Sequence, residues 1–256
     1  MDTQSFIQTL LPKRSEIAAL FAKPFDDGYI LDIKSWFSEF IKYLSTIDIS
    51  NINLNDPELL AISKDIKSFY DKFYIFDETH IALDILEGKS VPEFKSNNST
   101  LADEEIKAMQ IGSDSNVCFV GSGPYPWSII KYSRAYGCTG TAIEGRPEAV
   151  TLSTELIKYF VLSDKIKVIC SDANDVDYSS FDVIVLAAMV YPKSKLIENI
   201  YTKMKPGAKL LARSAIGQYG LIYDTLSPND IPNNLKYTIL KGENGCELET
   251  YFFQKE

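Results

Sequence analysis

The stretch Val117-Cys118-Phe119-Val120-Gly121-Ser122-Gly123-Pro124 decides the fold, because a short apolar run leads directly into a turn with two glycines. Such a run is typical of a strand that is covered on both faces. The glycines leave room for a ligand to approach the main chain, and a helix that follows would present free N–H groups. The pattern predicts a strand whose carboxyl end carries a ligand-binding turn, with a plain tight turn as the alternative.

Similar apolar runs recur through the second half of the chain, separated by segments long enough to cross over as helices. This alternation predicts an α/β domain with a doubly wound, mostly parallel, Rossmann-like sheet of the class I methyltransferase type. The predicted parallel strands are Val117–Val120, Thr139–Glu144, Lys167–Cys170, Asp182–Ala187 and Lys209–Arg213.

Two further strands are predicted near the end of the chain, over Tyr237–Lys241 and Glu247–Phe253. The segment that joins them, Gly242-Glu243-Asn244-Gly245, is typical of a hairpin loop rather than a crossover. We therefore expect an antiparallel pair at the far edge of the sheet.

In the first part of the chain the apolar residues recur three and four positions apart, and this spacing predicts helices. Pro57 at a first helical position predicts a helix over 58–86 that ends at Gly88. Thr100, three residues before Asp103, predicts the cap of a short helix through Met109. Residues 111–115 resemble an interdomain joint. The sequence thus predicts an all-helical domain over 1–113 and a sheet domain over 114–256, although one large domain would also fit.

Composition narrows the classes of function. The 26 Lys and Arg residues against 35 Asp and Glu residues give a formal net charge of −9, which argues against a nucleic-acid partner. No stretch approaches the roughly 20 apolar residues of a membrane span, and the first residues lack the order of a signal peptide. We expect a cytoplasmic protein with no membrane partner.

Cysteine and histidine usage predicts neither a disulfide framework nor a protein-bound metal. The four cysteines, Cys118, Cys138, Cys170 and Cys246, are far apart and are interpreted as reduced core residues. With His80 as the single histidine, a His-based metal cage or a Ser-His-Asp relay would be hard to build. Catalysis would have to use other groups.

The glycine turn favours a nucleoside ligand when it is combined with the end of the next strand. Glu144 lies about twenty residues beyond the turn, where a carboxylate can accept both hydrogen bonds of a ribose diol. The third glycine of the dinucleotide fingerprint is missing, and Pro124 and Pro126 rigidify the turn, so S-adenosylmethionine is favoured over NAD. No Gly-Lys-Ser/Thr loop supports ATP.

Residues after the third and fourth strands complete the predicted cofactor site. Asp172 is placed to accept a hydrogen bond from an adenine amino group, or else is a solvated loop acid or helix cap. Ala187 and Ala188 would allow the amino-acid arm of the cofactor to approach the backbone closely. The predicted cofactor-binding residues are Gly121, Ser122, Gly123, Pro124, Tyr125, Glu144, Gly145, Asp172, Ala173, Ala187 and Ala188.

Together these residues resemble the nicotianamine synthase-like enzymes, including those that build staphylopine-type and pseudopaline-type opine metallophores. The resemblance is carried by the turn over 120–126, by Glu144 to Pro147, by Arg213 to Tyr223 and by Glu78-Thr79-His80. It spans most of the chain and implies that the helical domain covers the active site and supplies a catalytic glutamate. Glu78 matches that glutamate.

The helix neighbours of Glu78 fit this role, since Tyr74, Ile75, Ile81 and Ala82 share its face. Apolar surroundings disfavour a charged carboxylate and bring its pKa toward the range of a general base. A partly buried structural glutamate, paired with a lysine or tyrosine, is the alternative. A helix places His80 on another face, where we expect packing or hydrogen bonding.

The resemblance implies transfer of the 3-amino-3-carboxypropyl (aminobutanoyl) group of S-adenosylmethionine to an amine, with release of methylthioadenosine. Arg213 would hold a substrate carboxylate, with a surface salt bridge as its alternative role, and Tyr125 and Tyr219 are further candidate contacts. The segment over 94–100 resembles the bacterial opine branch, which implies a small-molecule amino-acid acceptor such as histidine. The oligomeric state is open, with a homodimer as one alternative.

Two other functions remain open from the residues alone. A small-molecule methyltransferase would share Gly121, Gly123, Glu144 and Asp172 and would differ only in how the cofactor is oriented. A non-catalytic nucleoside-binding module would make Glu78 incidental.

Overall fold

Seven strands form one mixed sheet, and the computed structural model describes residues 1–23, 27–89, 99–243 and 245–256. The strands are β1 (Asn116–Val120), β2 (Thr139–Glu144), β3 (Ile166–Cys170), β4 (Val183–Leu186), β5 (Lys209–Ala215), β6 (Tyr237–Lys241) and β7 (Leu248–Gln254). Their order is β3-β2-β1-β4-β5-β7-β6; the first five are joined by parallel pairing, and β6 and β7 pair antiparallel. The predicted doubly wound sheet with an antiparallel pair at its edge is confirmed.

Strands β1 and β4 are buried on both faces, as their uninterrupted apolar runs predict. Side chains alternate between the faces, so Cys118 and Val120 pack on one side with Ile197. Val117 and Phe119 pack on the other side, in a second cluster that includes residues of the helices after β1 and β2. The two clusters fix the register of the sheet.

The edge position of β3 accounts for one difference from the sequence prediction. Cys118, Cys138 and Cys246 are buried, but Cys170 is exposed. In the described part of the chain β3 is the edge strand of the sheet, and the last residues of this strand are exposed. The prediction that all four cysteines lie in the core is therefore wrong for Cys170, although none of the four forms a disulfide.

The helices lie in both halves of the chain. They are α1 (Thr3–Phe21), α2 (Asp27–Ser45), α3 (Pro57–Leu86), α4 (Ser99–Met109), α5 (Trp127–Tyr136), α6 (Pro147–Tyr159) and α7 (Lys193–Lys203), with short 3-10 helices over Gly217–Leu221 and Pro228–Asp230. Within the described ranges, no helix combines the length and the apolar character needed to cross a bilayer.

The bounds of α3 follow from residues at its ends. Asp56 caps the helix, because its Oδ1 accepts hydrogen bonds from the backbone N–H groups of Glu58 (2.9 Å) and Leu59 (3.3 Å). Pro57 occupies the first helical position, where no N–H is needed. Gly88, with φ +74°, ends the helix in the left-handed conformation. The predicted long helix is confirmed.

The predicted role of Thr100 is wrong, because α4 already includes it. Its hydroxyl accepts a hydrogen bond from the backbone N–H of Glu243 (2.9 Å), in the loop between β6 and β7. Local sequence spacing resembled a capping box, but a tertiary contact uses the side chain instead. The predicted segment over 94–98 and Asn244 lie outside the described residues.

The chain divides into two compact units. The first comprises Met1–Tyr74 and Ala215–Thr225, and the hydroxyl pair of Tyr70 and Tyr223 (3.0 Å) links these two pieces. The second comprises Ile75–Ser214 and Leu226–Glu256 and contains the sheet almost entirely. This division differs from the domains expected over 1–113 and 114–256, which remain a prediction.

Candidate active site

The order of the strands locates a candidate site within the second unit. The chain winds outward from β1 to β3 and then returns to place β4 on the other side of β1. A crevice at such a switch point, beyond the carboxyl ends of the strands, is where open α/β sheets bind ligands. Here those ends carry the turn after Val120 and the residue Ala187, whose N–H donates to the carbonyl of Val120 (3.0 Å).

The glycine turn after β1 has a backbone conformation that residues other than glycine adopt only under strain. Gly121 and Gly123 have φ values of +77° and +65°, which is the left-handed region. The N–H groups of Gly121 and Ser122 both donate to the carbonyl of Ile143 on β2, at 2.9 and 3.2 Å. A Cβ on Gly121 would overlap the side chain of Val190. The turn is therefore a defined conformation that requires glycine.

Ser122 carries a buried polar atom that bonds to none of the described residues. The residue is 5% exposed, and among the described residues its Oγ has no hydrogen-bond partner. A buried hydroxyl without a partner is costly, and such exceptions in native structures call for a specific explanation. A buried hydroxyl of this kind in the turn is available to a ligand, and the role of Ser122 in cofactor binding stays a prediction.

Glu78 lies at this glycine turn. It is in the part of α3 that belongs to the second unit, where Ala82 and Ile85 pack against Leu156 of α6. A Cβ added to Gly123 would overlap Oε2 of Glu78, so the carboxylate rests against the glycine backbone. The structure brings the candidate base and the candidate cofactor loop together across 45 residues of sequence, since 123 − 78 = 45.

Tyr125 joins this group from the other end of the turn. It packs against the cluster of Ala82, Ile85 and Leu156, and its ring stacks on Trp127 at 5.7 Å. Burial raises the pKa of Tyr125 above its ordinary value, the negative charge of Glu78 raises it further, and Arg134 opposes the shift. The phenol therefore remains a proton-bearing hydrogen-bond donor close to the glutamate.

Glu144 is at the predicted place, but its carboxylate has protein partners. The residue is 4% exposed, and Oε2 accepts from the N–H of Gly123 (2.9 Å). Oε1 accepts from the backbone N–H and the Nε of Arg146, at 3.0 and 2.9 Å. Glu144 thus joins the glycine turn to the end of β2, whereas the sequence had suggested an open acceptor.

Asp172 and Ala173 follow β3, and Asp172 is exposed. Its Oδ1 accepts from the backbone N–H and the side-chain amide of Asn174, at 2.8 and 2.9 Å. These hydrogen bonds lower the pKa of Asp172. The carbonyl of Ala173 accepts from the hydroxyl of Tyr178 (2.7 Å). This geometry also suits the alternative of a solvated loop acid.

Ala187 and Ala188 directly follow β4, which ends at Leu186, one residue earlier than predicted. A buried lysine donates a hydrogen bond to this segment. Lys193, at the start of α7, is 1% exposed, and its Nζ donates to the carbonyl of Ala188 (2.8 Å). Gly145, the last predicted contact, has open space around it, since the nearest atom to an added Cβ is the Ser171 carbonyl oxygen at 4.0 Å.

Arg213 forms a buried ion pair rather than the surface salt bridge considered as its alternative. Its Nε and Nη2 donate to Oε1 and Oε2 of Glu105 on α4, at 3.0 and 2.8 Å, and Glu105 is fully buried. Tyr132 and Thr250 complete the network through their hydroxyl groups. Glu105 therefore occupies the bidentate position on Arg213 at which a substrate carboxylate is expected.

Two other residues weighed from sequence have structural contacts. Tyr219 is buried in the first unit, within the 3-10 helix over Gly217–Leu221. His80 has its Nδ1 within 2.9 Å of the carbonyl oxygen of Phe76 and packs on the ring of that residue. Over the described part of the chain, no three His, Cys, Asp or Glu side chains gather as a metal site.

Sequence reasoning gave no role to Arg146, Glu105 or Lys193. Arg146 belongs to the segment that carried the family resemblance, and its position two residues after Glu144 was an available signal. The burial of Glu105 has no local signal, because its partners Arg213 and Thr250 lie 108 and 145 residues along the chain. Lys193 differs, since it donates to the carbonyl of Ala188, five residues before it.

The sheet order and the flanking helices define a methyltransferase-like Rossmann fold. A protein-family model described as "Nicotianamine synthase protein" matches residues 33–245, which is most of the chain. The protein belongs to the nicotianamine synthase family.

Relatives and solved structures agree with this assignment. Nicotianamine synthase 3 of Arabidopsis thaliana is 33% identical over 126 residues, covering 45% of this chain and 39% of that protein. Nicotianamine synthase 9 of Hordeum vulgare is 29% identical over 130 residues, covering 45% of this chain and 36% of that protein. The matched region thus spans well under half the length of these relatives.

The fold similarity extends over nearly the whole chain. A crystal structure of MtNAS in complex with MTA and tNA has a TM-score of 0.83 at 21% identity, covering 98% of each chain. A mutant of MtNAS in complex with S-adenosylmethionine has a TM-score of 0.79 at 19% identity, with the same coverage. At these identities the likeness establishes the fold.

Proposed function

We propose that the protein is an S-adenosylmethionine-dependent aminobutanoyltransferase. It moves the 3-amino-3-carboxypropyl group onto the amine of an amino acid such as histidine and releases methylthioadenosine, as a step of metallophore biosynthesis. The observation that carries the proposal is the carboxylate of Glu78 resting against Gly123 of the glycine turn. Family membership supports the same reaction type.

The residues around the turn fit S-adenosylmethionine as co-substrate. The glycine turn lets the ligand approach the backbone, and the unsatisfied hydroxyl of Ser122 offers a hydrogen bond. Pro124, Tyr125, Gly145 and Ala173 would line the site with Asp172 at the adenine, Glu144 at the ribose and the Ala187-Ala188 segment at the amino-acid arm. A solved relative binds S-adenosylmethionine, which supports this arrangement.

The proposed chemistry needs a base and a defined orientation. The sulfonium of the bound co-substrate makes the arm carbon electrophilic, and breaking its bond to sulfur leaves the electron pair on a neutral thioether. The acceptor amine is largely protonated at neutral pH, so a proton must be taken before or during attack. Glu78 accepts that proton, and Tyr125 holds the carboxylate or the substrate by a hydrogen bond.

The acceptor and the pathway are proposed on the resemblance to the opine branch. An amino-acid acceptor brings a carboxylate, for which Arg213 was the predicted partner. Since Glu105 holds Arg213 in the described structure, the acceptor carboxylate would have to share or replace that contact. We further propose a cytoplasmic protein, with the domains over 1–113 and 114–256 and without a nucleic-acid or membrane partner.

A methyltransferase is the second candidate, since the sheet order is of the methyltransferase type. The test is to incubate the purified protein with S-adenosylmethionine and a panel of amino acids and to identify the nucleoside by-product. We expect methylthioadenosine together with an acceptor enlarged by one aminobutanoyl group. Adenosylhomocysteine with a methylated acceptor would overturn the proposal in favour of the methyltransferase.

A further inference from the structure

The carboxylate of Glu144 has every acceptor position in use. Oε1 accepts two hydrogen bonds, from the backbone N–H and the Nε of Arg146, at 3.0 and 2.9 Å. Oε2 accepts two more, from the N–H of Gly123 at 2.9 Å and the Nη2 of Arg146 at 3.4 Å. A carboxylate offers about four lone-pair sites, so these four donors fill it.

A ribose diol would donate two hydrogen bonds to this carboxylate, and two of the present donors must leave to admit it. The backbone donors cannot move separately, because the turn fixes Gly123 and the start of α6 fixes the N–H of Arg146. The guanidinium of Arg146 is the side-chain donor among the four contacts, so it can leave by rotation of side-chain bonds alone. Its side chain is 36% exposed, and its Nη2 contact is longer than the usual range of about 2.7 to 3.2 Å.

We propose that Arg146 is a displaceable occupant of the ribose position. In the described structure its guanidinium satisfies a carboxylate that would otherwise be buried with open acceptor sites, which is costly. On binding, the ribose diol takes over these positions and the guanidinium moves into solvent. Arg146 thereby weakens the affinity for every ligand with the diol and favours release of the nucleoside product. This inference rests on the proposed function, specifically on Glu144 as the ribose-binding residue.

The test is a calorimetric titration of the wild type, one variant and one control with two nucleosides. The nucleosides are adenosine and 2′,3′-dideoxyadenosine, which differ only in the diol, and S-adenosylmethionine is titrated alongside. The variant is Arg146→Met, and the matched control is Lys205→Met. Lys205 pairs with Asp182 at 2.6 Å, just before β4 and thus at the opposite end of the sheet. Both substitutions remove one positive charge from a partly exposed ion pair.

We expect Arg146→Met to lower the Kd for adenosine about tenfold, in line with the strength of hydrogen bonds to a charged group. The Kd for the dideoxynucleoside should stay unchanged, and the control should bind all ligands like the wild type. Arg146→Lys serves as a second variant if Arg146→Met unfolds, and it should give a smaller tightening because lysine cannot bridge both oxygens.

The outcomes separate this inference from the function on which it rests. Unchanged or weaker adenosine binding by the variants, with normal binding of S-adenosylmethionine by the wild type, would overturn the role of Arg146 alone. An equal gain for both nucleosides would also overturn it, since that result indicates a general charge effect. A wild-type protein that binds neither S-adenosylmethionine nor adenosine would overturn the proposed function as well.

Discussion

At the scale of single residues, the proposed base Glu78 is the first position to test. Because glutamine keeps the shape but cannot accept the proton from the amine, Glu78→Gln should lower kcat by about a hundredfold or more, with little change in the Kd of S-adenosylmethionine. Single-turnover kinetics and calorimetry measure the two quantities. The matched control is Glu87→Gln, because Glu87 directly follows α3 and its side chain is exposed. Full turnover by Glu78→Gln would remove Glu78 from the mechanism.

The contact between Gly123 and Glu78 gives a second prediction. In Gly123→Ala the new methyl group must displace the Glu78 carboxylate, and alanine in the left-handed conformation costs about 1 to 2 kcal/mol of unfolding free energy. Gly207→Ala carries the same backbone strain, with φ +79°, but its Cβ would meet open space. We expect similar losses of stability in urea unfolding, with a fall in kcat only for Gly123→Ala. Equal activities would contradict the proposed place of Glu78.

The phenol of Tyr125 reports the charge of Glu78 directly. Burial is the larger cause of its raised pKa, and the Glu78 carboxylate is the second. Glu78→Gln should therefore lower the pKa of Tyr125 toward its ordinary value while leaving it above that value. The measurement is a titration of the Tyr125 ring carbon by NMR, assigned with Tyr125→Phe. An unchanged pKa would mean that the glutamate is not charged beside the phenol.

The same shift has a consequence for stability. A raised pKa means that the folded protein holds the phenolic proton more tightly than the unfolded chain does. The contribution of Tyr125 to stability is therefore complete below the unfolded value of about 10 and is lost as the pH rises through the folded value.

At the scale of elements, the Glu105–Arg213 pair joins α4 to β5. Glu105→Ala leaves the guanidinium of Arg213 partly buried without its carboxylate, which should cost about 3 to 5 kcal/mol of unfolding free energy. The exposed pair of Glu104 and Lys107 on the same helix provides the control, and Glu104→Ala should change stability by no more than about 0.5 kcal/mol. Equal effects in denaturant unfolding would show that the buried pair does not hold α4.

The elements themselves were largely predictable from sequence. Apolar runs and the hairpin loop predicted all seven strands, and β5 alone runs clearly further than expected, to Ala215. Local signals fixed α3 because Asp56, Pro57 and Gly88 act on neighbouring backbone groups. The prediction that Thr100 caps α4 is wrong because the partner of Thr100, Glu243, lies far along the chain. A local sequence pattern carries no information about such a contact.

At the scale of the whole molecule, the place of the candidate site follows from the predicted topology, but not every partner of its side chains does. The topology of a doubly wound sheet brings the ends of β1, β2 and β4 to one edge, which gathered Gly121, Glu144 and Ala187 as expected. The partner of Arg213, Glu105, depends on side-chain packing across the fold, whereas Arg146 lies only two residues after Glu144. Sequence spacing identifies chemical groups at a site, but it does not show which protein groups already satisfy them.

Isotope labelling of S-adenosylmethionine shows which carbon leaves the sulfonium. The protein is incubated with its amino-acid acceptor and S-adenosylmethionine that carries ¹³C in the methyl group, and both products are analysed by mass spectrometry. We predict that the label stays on methylthioadenosine and that the acceptor gains an unlabelled aminobutanoyl group. Label found on the acceptor would contradict the account.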